Sequence, residues 1–139
     1  MRHPGGALGR KLLLHVRDLM RSGDALPRVG PGAAFTDMLR EMTGKGLGLT
    51  AVVGDDEQVL GIFTDGDLRR LIERGIDLRT IKAAEVMHAN PRTIRADRLA
   101  AEAADLMEQF KINCMLVVDD TGVLVGAFNS NDLMRAKVI

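Results

Sequence analysis

The 139-residue sequence predicts an α+β protein of two β-α-β-β-α repeats packed as a pseudo-twofold pair, with small sheets flanked by helices. Three observations carry that prediction. Gly61-Ile62-Phe63-Thr64-Asp65-Gly66-Asp67-Leu68 returns as Gly126-Ala127-Phe128-Asn129-Ser130-Asn131-Asp132-Leu133, an offset of 65 residues. Each half then orders its segments alike: a short apolar run after a proline, a helix-period stripe, two strand-like runs around an acidic turn, and a second helix. Met42 with Met107, Val52 with Val117 and Asp55 with Asp120 keep the same offset. Alone, either unit exposes one face of a small sheet, so the two must cover each other.

The elements follow in order. Leu12 to Met20 reads as a modest connecting helix. Arg28-Val29 is a short strand after Pro27, and Phe35, Met38, Leu39 and Met42 mark one apolar stripe of a helix closed by Gly44, Gly46 and Gly48. Leu49 to Val53 and Val59 to Phe63 are strands around Gly54-Asp55-Asp56-Glu57, and Thr64 caps a helix to about Glu73, stopped by Gly75. In the second half Thr93-Ile94 is a strand, and Asp97 caps a helix with the stripe Leu99, Ala103, Leu106, Met107 and Phe110. Cys114 to Val118 and Val123 to Phe128 flank Asp119-Asp120-Thr121-Gly122, and Asn129 caps a last helix ending near Lys137. Asp18-Leu19-Met20 pairs with Glu85-Val86-Met87 at an offset of 67, so the first copy carries two additional residues in the loop Arg21 to Leu26.

Composition excludes several classes. Nineteen basic residues balance nineteen acidic ones, so no global field recruits a nucleic acid or a membrane surface. Trp and Tyr are absent and Phe numbers four, which removes the aromatic platforms of single-strand binders. No apolar run approaches membrane-spanning length, no signal peptide is visible, and the single cysteine excludes an internal disulfide; the chain reads as cytoplasmic. Cys114, before the apolar run Met115 to Val118 and with no histidine near in sequence, reads as a core thiol.

Thr64-x-x-Asp67 and Asn129-x-x-Asp132 have the form of a helix-start box, the first side chain capping an amide and the fourth reaching back to the cap's own N–H. Capping explains one such box. Two copies in a repeat suggest a further use: amides at a helix start favour an anion, and the carboxylate beside them suits a ribose diol. Cations crowd nearby, with Arg69 and Arg70 after the first box and Lys82, His88, Arg92, Arg95 and Arg98 at the start of the second repeat. Singly each is ordinary solvated surface; as a group they suit a polyanion.

The run Val16-x-Asp18-Leu19-Met20, the apolar helix, Val52-Val53-x-Asp55 and Gly61-Ile62-x-Thr64-x-x-Asp67-Leu68 resembles a CBS motif, and the second copy resembles another. Together they are similar to a CBS pair, or Bateman module. His3-Pro4-Gly5-Gly6-Ala7-Leu8-Gly9-Arg10-Lys11-Leu12-Leu13-Leu14, with Gly61 to Arg70, further resembles the junction and first CBS copy of D-arabinose 5-phosphate isomerases, which interconvert D-ribulose and D-arabinose 5-phosphates for Kdo synthesis. The resemblance divides the chain into residues 1–15, the tail of an isomerase domain and linker, 16–80, CBS repeat 1, and 81–139, CBS repeat 2. His3 matches a histidine proposed to work in that family's isomerase site, but the domain needed for catalysis is expected to lie upstream, so these residues alone are expected to be inactive.

The resemblance also implies a ligand. Asp67 and Asp132 are the candidates for ribose hydroxyls, and Thr64 and Asn129 for phosphate or sugar contacts; Asn129 departs from the usual Thr or Ser. A base would lie near Leu49-Thr50-Ala51 or Cys114-Met115-Leu116, which adds Thr50 and Met115, and Arg69, Arg70, His88, Arg92 and Arg95 would meet the anion. With no metal or cofactor assigned, the expected ligand is a regulatory nucleotide: CMP-Kdo, the pathway's end product, or AMP or ATP. The competing reading is a dimerisation module using Leu68, Leu71, Ile72, Leu133 and Met134, residues that serve equally as core. The expected partners are the chain's own isomerase domain and a second copy, in a homodimer of this part and a higher oligomer of the parent.

Overall fold

A computed structural model describes residues 13–139. His3 and the glycine-rich run after it lie outside the described residues. The first sheet has the order β1 (Arg28–Val29), β2 (Leu49–Val53), β3 (Val59–Thr64), β4 (His88–Ala89); the second has β5 (Thr93–Arg95), β6 (Cys114–Val118), β7 (Leu124–Asn129). In each, the first pair is parallel and the hairpin antiparallel, with the register shifting between Val52 and Val53 and between Val117 and Val118. The helices Phe35–Lys45 and Ala100–Phe110 have the same length and hold corresponding positions, as do Asp65–Glu73 and the shorter Ser130–Arg135. The paired α+β architecture is therefore as the repeat predicts.

Strand alternation divides the core into three. Leu49, Ala51 and Val53 face Cys114, Leu116 and Leu124 in the layer between the two sheets, with Leu26, Ile62 and Ala127. The opposite face of the first sheet, through Val52 and Phe63, meets Phe35, Met38 and Met42; the same face of the second, through Met115, Val117 and Phe128, meets Ala100, Ala103 and Met107. Successive side chains on a strand point to opposite faces, so each sheet is buried on both. The hairpins also touch at their tips, where the Val59 amide donates to the Gly122 carbonyl and Leu124 to Glu57.

The leading segments change places. Val16–Leu19 belongs to the first repeat in sequence, yet it packs on the second: the Val16 amide donates to the Arg98 carbonyl, Arg17 to Ala96, and Arg21 bridges Ala127. Ala83–Val86 and β4 do the reverse, with the Ala83 amide on the Ala33 carbonyl and His88 beside Ile62. Two glycines make room for this. A Cβ on Gly61 would lie 2.5 Å from Met87 Sδ and 2.9 Å from the His88 carbonyl; one on Gly126 would lie 3.0 Å from the Arg21 carbonyl.

Several boundaries need correction. The expected helix Leu12 to Met20 gives way at Leu14 and His15, whose backbone is taken by residues 99 and 100; helix resumes over Val16–Leu19. Asp97 does not cap the helix that follows. Leu99 occupies the N-cap position, Glu102 supplies the reciprocal bond to its amide, and Asp97 faces Arg95 at 3.7 Å. In that helix Leu99, Leu106 and Phe110 are half-buried while Ala100 joins the core stripe. The last helix ends at Arg135, short of Lys137. Leu133 is core and Leu68 and Leu71 pack against core, which leaves Ile72 and Met134 of the expected dimer face exposed. No helix among the described residues is long and apolar enough to cross a membrane.

Candidate functional site

Strand β3 ends on Thr64, whose extended backbone makes it the N-cap of Asp65–Glu73. Its Oγ1 accepts from the Asp67 amide at 3.3 Å, and Asp67 Oδ2 accepts from the Thr64 amide and hydroxyl, each at 3.0 Å. The capping box is thus real. It uses part of the turn's anion-binding capacity, since the Asp65 amide is also taken, by the Gly48 carbonyl at 3.1 Å. Asp67 Oδ1 accepts from Arg70 Nη2 at 2.6 Å. Beside this carboxylate, which is 22% exposed, lies a hollow of about 350 Å³ lined by Asp67, Arg70, Leu71, Glu73, Arg74 and Val86. Val86 comes from the exchanged segment, so both repeats build the hollow.

The second corner starts from the same grammar and ends differently. Asn129 Oδ1 accepts from the Asp132 amide at 3.0 Å, and Asp132 Oδ2 accepts from the Asn129 amide at 3.0 Å. Asn129 Nδ2 also donates to the Leu47 carbonyl of the other repeat at 3.2 Å. An amide can cap and donate at once over that reach, which gives the departure from Thr a structural reason. Asp132 Oδ1 then accepts from Arg21 Nη2 at 3.2 Å and from Arg135, leaving its side chain 6% exposed. Arg21 Nη1 donates to the Lys45 carbonyl at 3.4 Å, and Lys45 Nζ to the Asp24 carbonyl at 2.6 Å. Asp24 belongs to the 3₁₀ turn Gly23–Ala25, within the longer loop of the first copy. A larger hollow, about 430 Å³, lies by this loop between Asp24, Arg28, Asp37, Arg40, Glu41 and Lys45; Arg40 and Lys45 there already face Asp37 and Glu41.

Thr50 is wholly buried with its hydroxyl on the Met38 carbonyl at 3.1 Å, and Met115 is core of the second repeat; both point to the helix-covered faces, away from the layer between the sheets. The residues that do face that layer near the first corner are Leu49 and Cys114. Burial pushes the Cys114 thiol up to about 11, with the carboxylates of Asp67 and Asp65 adding to the effect, so it is an unreactive thiol beside the corner. His88 lies exposed on β4 opposite Ile62. Arg69 faces Glu73 at 3.9 Å, Arg95 faces Asp97, and Arg92 stacks its guanidinium 3.3 Å from the Phe110 ring centroid. Of the predicted cations, Arg70 lines the hollow at Asp67, whereas Arg69, Arg92 and Arg95 have other partners. Sequence reasoning missed Arg74 and Glu73 at the first corner and Arg21, Lys45 and Asp24 at the second. Arg21 had a signal: it aligns with His88 in the copy offset of the leading segments.

Comparison with known proteins agrees with this geometry. A family model described as CBS domain matches residues 16–74 and 83–139. The arabinose 5-phosphate isomerase KdsD of Pseudomonas aeruginosa is 52% identical over 137 residues, 99% of this chain and 42% of the relative. The chain thus spans well under half the length of that curated relative. A crystal structure of an uncharacterized conserved protein from Pyrococcus horikoshii superposes with a TM-score of 0.79 at 26% identity, over 91% of this chain and 93% of that one. The cytosolic domain of the Mg2+ channel MgtE, solved in complex with ATP, superposes with a TM-score of 0.72 at 25% identity, over 93% of this chain and 51% of that one. With two motif copies, two matched sheets and two strand-to-helix corners, the chain belongs to the CBS-domain family and carries its domains as a tandem pair.

Proposed function

We propose that this pair is the regulatory part of an arabinose 5-phosphate isomerase and that its Asp67 corner binds a ribose-bearing nucleotide, CMP-Kdo first, with AMP and ATP as the alternatives. The observation that carries the reading is the partly exposed Asp67 carboxylate beside a hollow of about 350 Å³ that also holds Arg70 and Arg74. That volume is at the lower end of small-molecule sites, about 300–1,000 Å³. Asp67 is an acceptor for the ribose hydroxyls. Arg70 and Arg74 offer planar donors to a phosphodiester or carboxylate, which a cytidine sugar acid combines. Similarity to KdsD over nearly the whole chain supports the pathway assignment, and the ATP-bound fold relative supports the ligand class.

In this reading the isomerisation of D-ribulose 5-phosphate to D-arabinose 5-phosphate is performed in the cytoplasm by a domain adjoining this one, and occupancy of the Asp67 corner reports pathway output to it. A second reading, an oligomerisation scaffold, is favoured by exposed Ile72 and Met134 at 60% and 51%. Thermal shift of the 139-residue chain with CMP-Kdo, AMP and ATP separates the two. A ligand at one hundred times its Kd stabilises by about 2.7 kcal/mol, roughly 8–10 °C for a chain of this size. The double change Asp67→Ala with Asp132→Ala removes that shift and leaves the oligomeric state intact. No shift with any of the three, together with a dimer broken by Ile72→Glu or Met134→Glu, refutes the sensor and supports the scaffold.

A further inference from the structure

We propose that Arg21 is a built-in cation that closes the Asp132 corner, so that the chain takes one nucleotide, at Asp67, although its sequence offers two matching motifs. The proposal rests on the nucleotide reading of the Asp67 corner. Its evidence is the unequal filling of two positions that backbone register makes equivalent. Arg21 bridges Ala127 as His88 pairs with Ile62, and Ala127 and Ile62 are themselves repeat partners. The second corner therefore combines a carboxylate from one repeat with a cation from the leading segment of the other, and at the first the matching register position is held by His88.

At the second corner that position is an arginine, long enough to reach Asp132 Oδ1 at 3.2 Å and the Lys45 carbonyl at 3.4 Å together. Arg135 takes the same oxygen, Asn129 spans to Leu47, and Lys45, whose carbonyl holds Arg21, donates its Nζ to the Asp24 carbonyl. Both carboxylates accept three hydrogen bonds, but at Asp132 two of the donors are guanidinium groups, one of them from the other repeat, and the side chain is left 6% exposed against 22% for Asp67. At the first corner the equivalent residue is the shorter His88, the connection into β5 is two residues shorter, and Asp67 bonds one arginine of its own helix. A hollow remains beside it.

Titration calorimetry of the 139-residue chain with AMP, ATP and CMP-Kdo tests this. The expected result is one equivalent per chain for any nucleotide that binds, lost at least tenfold in affinity in Asp67→Ala. Arg21→Ala is expected to bind a second equivalent. So is Arg21→His, which reproduces the first corner should the alanine variant fold poorly. Amide NMR shifts on the unaltered chain give a check that needs no variant: they concentrate at Thr64–Asp67 and spare Asn129–Asp132. Two equivalents in the unaltered chain, or a folded Arg21 variant that still takes one, overturn the closure while the nucleotide reading stands. Silence from all three nucleotides overturns that reading, and the closure falls with it.

Discussion

Asp67 and Asp132 hold the same place in the sequence repeat, and replacing each by alanine should give unequal losses of stability. Asp132→Ala removes the reciprocal bond to the Asn129 amide, worth about 1 kcal/mol as a capping contact. It also strands Arg21, whose side chain is 27% exposed, without its carboxylate. Breaking a buried pair from one side costs about 3–5 kcal/mol, and partial exposure of Arg21 and greater exposure of Arg135 reduce this to about 2. The total is near 3 kcal/mol. Asp67→Ala loses an equal cap and a surface pair with Arg70, worth at most about 1 kcal/mol, for a total near 1.5. The gap of about 1.5 kcal/mol appears in urea denaturation as a lower midpoint at unchanged slope, and in melting as about 5 °C. Crossing Asp132→Ala with Arg21→Ala should recover a coupling of about 1–2 kcal/mol. Equal losses at the two aspartates, or a coupling near zero, would refute the ion-pair account.

Other changes test the packing. Gly61→Ala and Gly126→Ala should each cost about 1–3 kcal/mol, because the added methyl meets the backbone of the exchanged segment; Gly44→Ala, exposed with nothing within 4 Å, should gain about 0.5–1 kcal/mol. The repeat also places glycine and a side chain at matching left-handed positions: Gly46 with Lys111, and Gly122 with Glu57. Lys111→Gly and Glu57→Gly should therefore each stabilise by up to about 1 kcal/mol, read by denaturant midpoint, the second offset in part by the exposed Arg28–Glu57 pair. Cys114, with a native thiol pushed up to about 11, should resist iodoacetamide at pH 8 until the chain unfolds. The unfolded thiol ionises first, so stability is complete below about pH 8.5 and falls as pH rises towards 11; Cys114→Ala should flatten that slope.

What was legible in the sequence is what local periodicity encodes. The hairpins, the helix Phe35–Lys45 and both N-caps at Thr64 and Asn129 fall where apolar spacing and cap chemistry put them. Asp97 was misplaced because its side chain competes as a cap on local grounds, whereas the helix begins where residues 14–15 pair with residues 99–100, a contact between distant segments. The strand stretches around Thr50 and Met115 suggest where a base would lie, but strand membership alone does not say which face meets the other sheet, and both side chains turn to the helix-covered faces. The closed second corner depends on Arg21 meeting Asp132 across most of the chain. Motif identity predicts like function for both corners; a guanidinium delivered by a non-local segment makes them different.

The exchange of leading segments has a final consequence for how the two halves fold. Residues 81–139 alone would lack Val16, which is fully buried in their core, together with Leu19 and Met20 packed beside it, and would leave the edge at Ala127 unpaired. Fully burying one valine side chain contributes about 1.5 kcal/mol or more, and a domain of about 60 residues buries only about 60% of its unfolded surface, so that loss consumes most of a small stability margin. Residues 13–80 would in turn lack Ala83, Val86 and Met87 from theirs. Neither half should fold separately, and the intact chain should melt in one transition seen alike by circular dichroism and calorimetry. Mixing the separate peptides 13–80 and 81–139 should restore structure that neither shows alone. A cooperative melt from 81–139 by itself would show that the exchanged contacts are incidental, and would uncouple Arg21 from the integrity of the corner it fills.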